Sequence, residues 1–467
     1  MPGSATVSRS LRCSAWDRAV RPNSDHNRSS CTRHPAKMDL NRLSATEALA
    51  GMEAGQISSE ALVRACLQRI DERQENVRAW AAIDRDGVVA AAREADRARR
   101  QDSNTRGRLL GIPIGVKDNI NTADLPTEYN SPIYRGHRPG SDAPAVALLR
   151  NAGAIVLGKT ETVEFAAHGR AAPTRNPLDL SRTPSGSSSG SAAAVADFMV
   201  PLALGTQTGG SLIRPGSYCG CVGFKPTYGI VSTEGVKLIS VSLDTVGWYA
   251  RSVADVALVA HTLEIIDKVI PEPRPVEALK IGVCRTPYWK RAQPSTQSAI
   301  KEATRRLDAA GATVVEFELG AKFADANDLQ ETIMCGEAYF AFLNLFRIHP
   351  ANLADSIRQR LIRVPSEKLL AAADRAAALR PLFDRMASRY DAILTPSAPG
   401  EAPVGHDIPA DATFNGIWTL LHTPCITLPG LFGPAELPVG IQLVAPRLAD
   451  DSLLAVAAAV APLLQGG

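Results

Sequence analysis

Thr183-Pro-Ser-Gly-Ser-Ser-Ser-Gly-Ser191 opens an alanine-rich helical run, Ala192–Ala196. A short apolar run follows, Pro201–Leu204, and then a second turn, Gly205-Thr-Gln-Thr-Gly-Gly-Ser-Leu-Ile-Arg-Pro215. Turn, helix, strand and turn in that order is the texture of strands inside a helix-covered sheet. A flexible linker is not expected at the first turn, because a helix and a buried-looking strand follow at once. A P-loop is also excluded, since no G-x-x-x-x-G-K-[ST] pattern occurs.

The same texture extends in both directions. Short apolar runs at Gly111–Val116 and Ala154–Leu157 read as strands. Leu279–Cys284, Ser295–Ala310 and Thr313–Phe317 read as a strand–helix–strand unit. Strand-like runs return at Ala392–Thr395, Cys425–Leu428 and Val439–Val444, before a last Ala-rich helix. Residues 320–390 read as helical, and Pro271–Pro275 as a linker. Upstream, Ser44-Ala-Thr-Glu47 is a capping box and Ser58 a second N-cap, so two or three helices up to about Arg100 should form an N-terminal arm. The expected fold class is α/β, a single large α/β/α sandwich over residues 38–467 with a mixed central sheet covered by helices.

Residues 1–37 stand apart. They hold six Arg and one Lys against two Asp, a net +5, which leaves −2 for the rest of a chain whose total is +3. With seven Ser and no hydrophobic period, this segment is read as an organelle leader or as an over-extended start before Met38.

Across all 467 residues the chain is 45% hydrophobic and 21% charged, which excludes disorder throughout. Lys and Arg (51) nearly balance Asp and Glu (48), and no basic stripe marks a nucleic-acid partner. No run reaches the roughly 18 apolar residues of a membrane span. The eight cysteines are scattered without a C-x-x-C pair, so neither a zinc site nor a disulfide framework is expected. Cys219 and Cys221 read as packing residues, and reduced thiols in a cytoplasm fit this usage.

Three segments carry possible chemistry. In Gly111-Ile-Pro-Ile-Gly-Val-Lys-Asp118, Lys117 would sit near a buried strand end, where desolvation lowers an amine's pKa. The alternative is a lysine whose stem lies on apolar surface. Thr183–Ser191 leaves hydroxyls at close quarters. In the third, Gly209-Gly210-Ser211 lets the main chain approach a ligand, with Ser211 as an attacking hydroxyl and successive N–H groups facing an oxyanion; a tight turn after a strand is the alternative. The eight histidines form no motif, His168 near Phe165 reads as a core or loop residue, and no G-x-S-x-G elbow exists.

Gly-Val-Lys-Asp, Gly-Ser-Ser-Ser-Gly-Ser and Gly-Thr-Gln-Thr-Gly-Gly-Ser, in that order, resemble the amidase signature family. Gly158-Lys-Thr160 with Glu164-Phe-Ala166, Phe224-Lys-Pro-Thr227, Ser242-Leu-Asp-Thr-Val-Gly247 and Leu437-Pro-Val-Gly-Ile-Gln442 extend the likeness from about residue 40 to the C-terminus. The resemblance implies Ser211 as nucleophile, Ser187 as a bridging serine after a cis peptide bond, and Lys117 as base. It also implies an oxyanion hole from the N–H groups of Thr208, Gly209, Gly210 and Ser211.

Departures exist. Gln207 stands where the commonest pattern has Asp, and Ser185 where Gly is usual. Ile213 takes the usual Arg position, and Arg214 follows it. That arrangement is similar to the malonamide-hydrolysing branch, where the equivalent Arg holds a substrate carboxylate; an Arg bracing the next turn is the alternative.

The expected protein is therefore a cytoplasmic serine hydrolase of amide C–N bonds, and of carbamates (urethanes) or esters that fit, with no cofactor and no metal. Its partners would be a small-molecule substrate and water, not nucleic acid or membrane, with a homodimer left open. The pocket wall is expected from residues 320–390 and the loop Thr127–Arg138. The runner-up is the catalytic, glutaminase subunit of an aminoacyl-tRNA amidotransferase. A non-catalytic scaffold of the same fold is the remaining alternative, against which the three intact triad positions weigh.

Overall fold

A computed structural model describes residues 39–465 apart from 102–106, 168, 269–272, 361 and 409–410. Met38, His168 and part of the 271–275 segment thus lie outside the described residues. Eleven strands form one sheet: β1 (Trp80–Ile83), β2 (Pro113–Lys117), β3 (Ile155–Thr160), β4 (Leu202–Gln207), β5 (Val222–Lys225), β6 (Thr245–Ala250), β7 (Lys280–Val283), β8 (Thr313–Glu316), β9 (Ala392–Pro396), β10 (Cys425–Leu428) and β11 (Ile441–Val444). Their order is β1-β3-β2-β4-β6-β5-β10-β11-β9-β7-β8.

The sheet is mixed. β2 runs parallel to β3 and β4, and β7 parallel to β8 and β9, while the other pairs are antiparallel. Most of its strands, β2 to β6 among them, are buried along their whole length. This is why they read as apolar runs rather than alternating ones.

The described helices are α1 (Ala45–Glu53), α2 (Ser59–Val77), α3 (Arg85–Gln101), α4 (Pro144–Asn151), α5 (Ser189–Ala196), α6 (Ile213–Cys219), α7 (Val253–Thr262), α8 (Pro294–Ala309), α9 (Ala326–Ile348), α10 (Asp355–Arg360), α11 (Ser366–Ala387), α12 (Gly416–Leu420) and α13 (Asp450–Gln465). Both expected N-caps are formed: Ser44 with Glu47 makes a reciprocal capping box, and the Ser58 side chain accepts from Ala61 N. The N-terminal arm is not all helix, however. β1 interrupts it and pairs with β3 at the sheet edge, because Gly115 and Gly158 leave room for the Trp80 ring, which a Cβ at either position would crowd.

Two hydrophobic clusters divide the interior. One, rich in Ala, Val, Leu and Ile, lies between the sheet and helices such as α5, α7 and α13. The other gathers many of the chain's few aromatics, among them Phe165, Phe323, Phe342, Phe383 and Trp418, where α9 packs on α11 and α12. The expected helical stretch at 320–390 therefore has a core of its own against the sheet. No described helix is long and apolar enough to cross a membrane.

Candidate active site

β2 lies between β3 and β4, and Lys117 is its last residue, with no exposed surface. Its Nζ lies 2.8 Å from Ser187 Oγ and 2.7 Å from Thr206 Oγ1 on β4. Asn119 Nδ2 donates to the same Thr206 oxygen at 3.1 Å. Burial lowers the Lys117 pKa to about 7, with the Asp244 carboxylate pulling the other way. A neutral amine that donates an N–H to Thr206 keeps its lone pair for the Ser187 proton.

The serine run is divided in purpose. Ser188 Oγ bonds the main chain of Thr206, and Ser191 Oγ donates to Leu204 O at 2.8 Å, so both clamp α5 against β4. Ser187 faces Lys117 instead, and it follows a cis peptide bond from Gly186. Both carbonyls beside that bond are held. Gly186 O accepts from Arg214 Nη2 at 2.7 Å, and Ser187 O accepts from Thr162 Oγ1 at 3.0 Å.

Ser211 is half-buried and lines a cavity of about 920 Å³ together with Ser187, Thr208, Gly209 and Gly210. The structure thus places Ser187 and Ser211 on one cavity, with the Lys117–Ser187 contact made. No Ser187–Ser211 hydrogen bond is present among the described residues; such catalytic contacts often tighten only with substrate in place.

Carbonyl contacts orient the turn after β4. Thr208 O accepts from Gln330 Nε2 at 3.0 Å, Gly209 O from Thr419 Oγ1 at 2.8 Å, and Gly210 O from Arg214 N at 3.0 Å. In a trans peptide unit the N–H points opposite to the C=O. The N–H groups of Gly209, Gly210 and Ser211 are therefore turned away from these donors, and among the described residues they meet no acceptor. The Thr208 hydroxyl donates to Asp244, whose other oxygen accepts from Ile239 N at 2.6 Å.

Arg214 is buried, and its guanidinium donates to Ser185 Oγ at 2.5 Å, to Gly186 O at 2.7 Å and to Asp411 O at 2.7 Å. Two of the departures noted in the sequence, Ser185 and Arg214, are thus hydrogen-bonded to each other. Cys219 and Cys221 are buried free thiols, the latter with its pKa pushed up to about 12 by burial.

The 320–390 stretch supplies cavity residues from α9, including Gln330 and Met334. The loop Thr127–Arg138 does not line the cavity. Its Tyr129 and Tyr134 pack instead on Phe165.

Sequence reading missed Thr206, Asp244, Gln330 and Thr419. Thr206 and Asp244 lie inside quoted motifs, so their positions were in view without a role. Gln330 and Thr419 sit on helices with no motif and reach the turn only through the packing of α9 and α12.

Known proteins resemble this chain along most of its length. A family model described as Amidase matches residues 61–454. A glutamyl-tRNA(Gln) amidotransferase subunit of Salinispora arenicola is 34% identical over 481 residues, covering 90% of this chain and 97% of that protein. Its counterpart in Streptomyces avermitilis is 32% identical, covering 91% and 95%. Among solved structures, the native peptide amidase of Stenotrophomonas maltophilia superposes with a TM-score of 0.75 at 29% identity, covering 90% of this chain and 96% of that one. The chain belongs to the amidase family.

Proposed function

We propose that this chain hydrolyses amide C–N bonds through an acyl-enzyme on Ser211. The observation that carries the reading is Lys117: a fully buried amine 2.8 Å from Ser187 Oγ, beside a turn whose N–H groups are left without acceptors among the described residues. Neutral Lys117 takes the Ser187 proton as Ser187 takes that of Ser211, and Ser211 Oγ bonds to the substrate carbonyl carbon. The N–H groups of Gly209, Gly210 and Ser211, with Thr208 at the entrance to the turn, stabilise the oxyanion. The proton returns to the leaving amine as the C–N bond breaks, and water then repeats the sequence to free the acid. Carbamates and esters fit the same chemistry. In this reading the enzyme works in the cytoplasm on a small molecule and water, without a cofactor.

The contacts of Arg214 favour a bracing role over a carboxylate clamp, since three of its donors hold Ser185, Gly186 and Asp411. Arg214→Ala should therefore lower kcat on acidic and neutral amides alike. A rise in KM confined to acidic substrates would restore the clamp.

A second reading, the glutaminase subunit of an aminoacyl-tRNA amidotransferase, is favoured by the names of the relatives at 32–34% identity. One experiment separates the two. The protein starting at Met38 and its Ser211→Ala variant are given primary amides, anilides, carbamates, esters and glutamine, with amine or ammonia release measured. Ser211-dependent release from a small amide by the chain alone supports the free-standing enzyme. Release from glutamine only when the other amidotransferase components are added supports the second reading. Turnover unchanged in Ser211→Ala refutes both.

A further inference from the structure

Gln207, the last residue of β4, replaces the commoner Asp, and its contacts fix the orientation of its side-chain amide. Oε1 accepts from Leu212 N at 2.9 Å and from Ile213 N at 3.1 Å, capping the start of α6. The amide nitrogen must then be the other end, and it donates to Thr419 Oγ1 on α12 at 3.1 Å. An oxygen that receives this N–H directs its own proton elsewhere. The nearer of its two acceptors is Gly209 O at 2.8 Å, against 3.4 Å for Asn415 O one turn earlier.

We propose that Gln207 and Thr419 form a positioning relay that aims the Gly210 N–H at the developing oxyanion. Gln207 sets the direction of the Thr419 hydroxyl, and that hydroxyl holds the Gly209 carbonyl. The Gly210 N–H, antiparallel to that carbonyl in the same peptide unit, is thereby fixed on the opposite side. A carboxylate at position 207 could still cap α6 but could not donate. It would draw the Thr419 proton to itself and release the Gly209 carbonyl. The departure at Gln207 is in this view matched by Thr419, more than 200 residues along the chain. Neither residue touches substrate; both act through the main chain of the turn.

The inference rests on the acyl-transfer reading, so its test must tell the two apart. The probe is an alkyl fluorophosphonate, with labelling followed by intact mass and peptide mapping. Ser211 Oγ bonds to phosphorus, the P–F bond breaks with fluoride taking the electron pair, and the Ser211 proton leaves through Ser187 to Lys117. Negative charge gathers on the phosphoryl oxygen during attack, so the labelling rate reads the oxyanion donors whatever the natural substrate is.

Thr419→Val should slow labelling on the order of 10- to 100-fold, somewhat less than outright loss of an oxyanion donor. Thr419→Ser should restore most of the rate. Gln207→Glu, which keeps the cap and removes the donor, should also be slow. Because both act through one carbonyl, the double variant should be no slower than the slower single one. The pH midpoint of labelling, governed by Lys117, should stay in place, whereas general loosening of the site would move it.

Thr419→Val labelling at the parental rate, or Thr419→Ser as slow as Thr419→Val, overturns the relay. If Thr419→Val does not fold, Gln207→Glu decides alone: slow labelling supports the relay and the parental rate overturns it. Absence of Ser211 labelling in the parent protein overturns the acyl-transfer reading, and the relay with it. Labelling lost in Ser211→Ala but unaffected in both relay variants overturns the relay only.

Discussion

Two buried lysines stand near the ends of adjacent parallel strands, and their amines meet different neighbours. Lys117 ends β2 and Lys159 lies one residue before the end of β3; neither has exposed surface. Lys159 Nζ donates to Ile120 O at 2.5 Å and Thr127 Oγ1 at 2.6 Å, with Asp118 Oδ1 at 3.7 Å. Burial lowers its pKa to about 8, but Asp118 opposes the shift by charge and hydrogen bond. Asp118 is itself raised by burial, with the charge of Lys159 pulling it back, so the two groups favour each other's ionised form. Among the described residues Lys117 meets only hydroxyls, and Asp244 acts on it by charge without a hydrogen bond. Burial is common to both. What differs is that a carboxylate and a carbonyl stand at the Lys159 amine and hydroxyls at that of Lys117.

The largest effect should come from removing the base. Lys117→Ala should cost on the order of 10³-fold or more in kcat while the protein stays folded, read by steady-state kinetics and far-UV circular dichroism. Retained activity would break the comparison outright. Lys159→Met should act on the other property: it strands Asp118 without its partner, so the expected loss is about 3 kcal/mol of stability in denaturant titration. If Lys159→Met lost its activity with no loss of stability, Lys159 would be the chemical lysine.

The pH dependence sharpens the contrast. Activity should rise with pH and level off above about 7, where Lys117 becomes neutral. Stability should follow the same sign. The folded pKa of Lys117 lies below its unfolded value of 10.5, so between the two the unfolded chain binds more protons and stability rises with pH. At neutral pH that burial is a cost, and Lys117→Met should gain on the order of 1 kcal/mol while losing activity.

The smallest effect belongs to Asp244→Asn. Removing the carboxylate that raises the Lys117 pKa should move the pH–rate midpoint downward by less than about one unit. An upward shift would show that Asp244 does not act on Lys117 by charge.

Much of the frame was legible along the chain. The run Cys425–Leu428 is a strand with the expected ends, and Ser44 and Ser58 cap the helices that follow them, because those signals are local. β1, β5 and β6 were not anticipated. β5 and β6 pair with each other and are buried along their whole length, so they lack the alternating pattern that marks a strand, and Trp80 of β1 finds its place against Gly115 and Gly158 on other strands. The loop Thr127–Arg138, expected in the pocket wall, instead packs its tyrosines on Phe165, a contact that no local pattern announces.

By itself, the sequence determined which residue types could do chemistry and in what order they occur: a lysine after an apolar run, a Gly/Ser turn, and a Gly-Gly-Ser turn. Hydrophobic period, capping and turn chemistry are properties of neighbouring residues, so they survive being read along a line. Only the tertiary structure decided which lysine is buried beside a serine rather than a carboxylate, which serine faces it, and which way each carbonyl of the turn points. Those depend on burial and on single hydrogen bonds from β4, α9 and α12. Residues such as Gln207 and Thr419 come within 3.1 Å only when the sheet and its helices close around them.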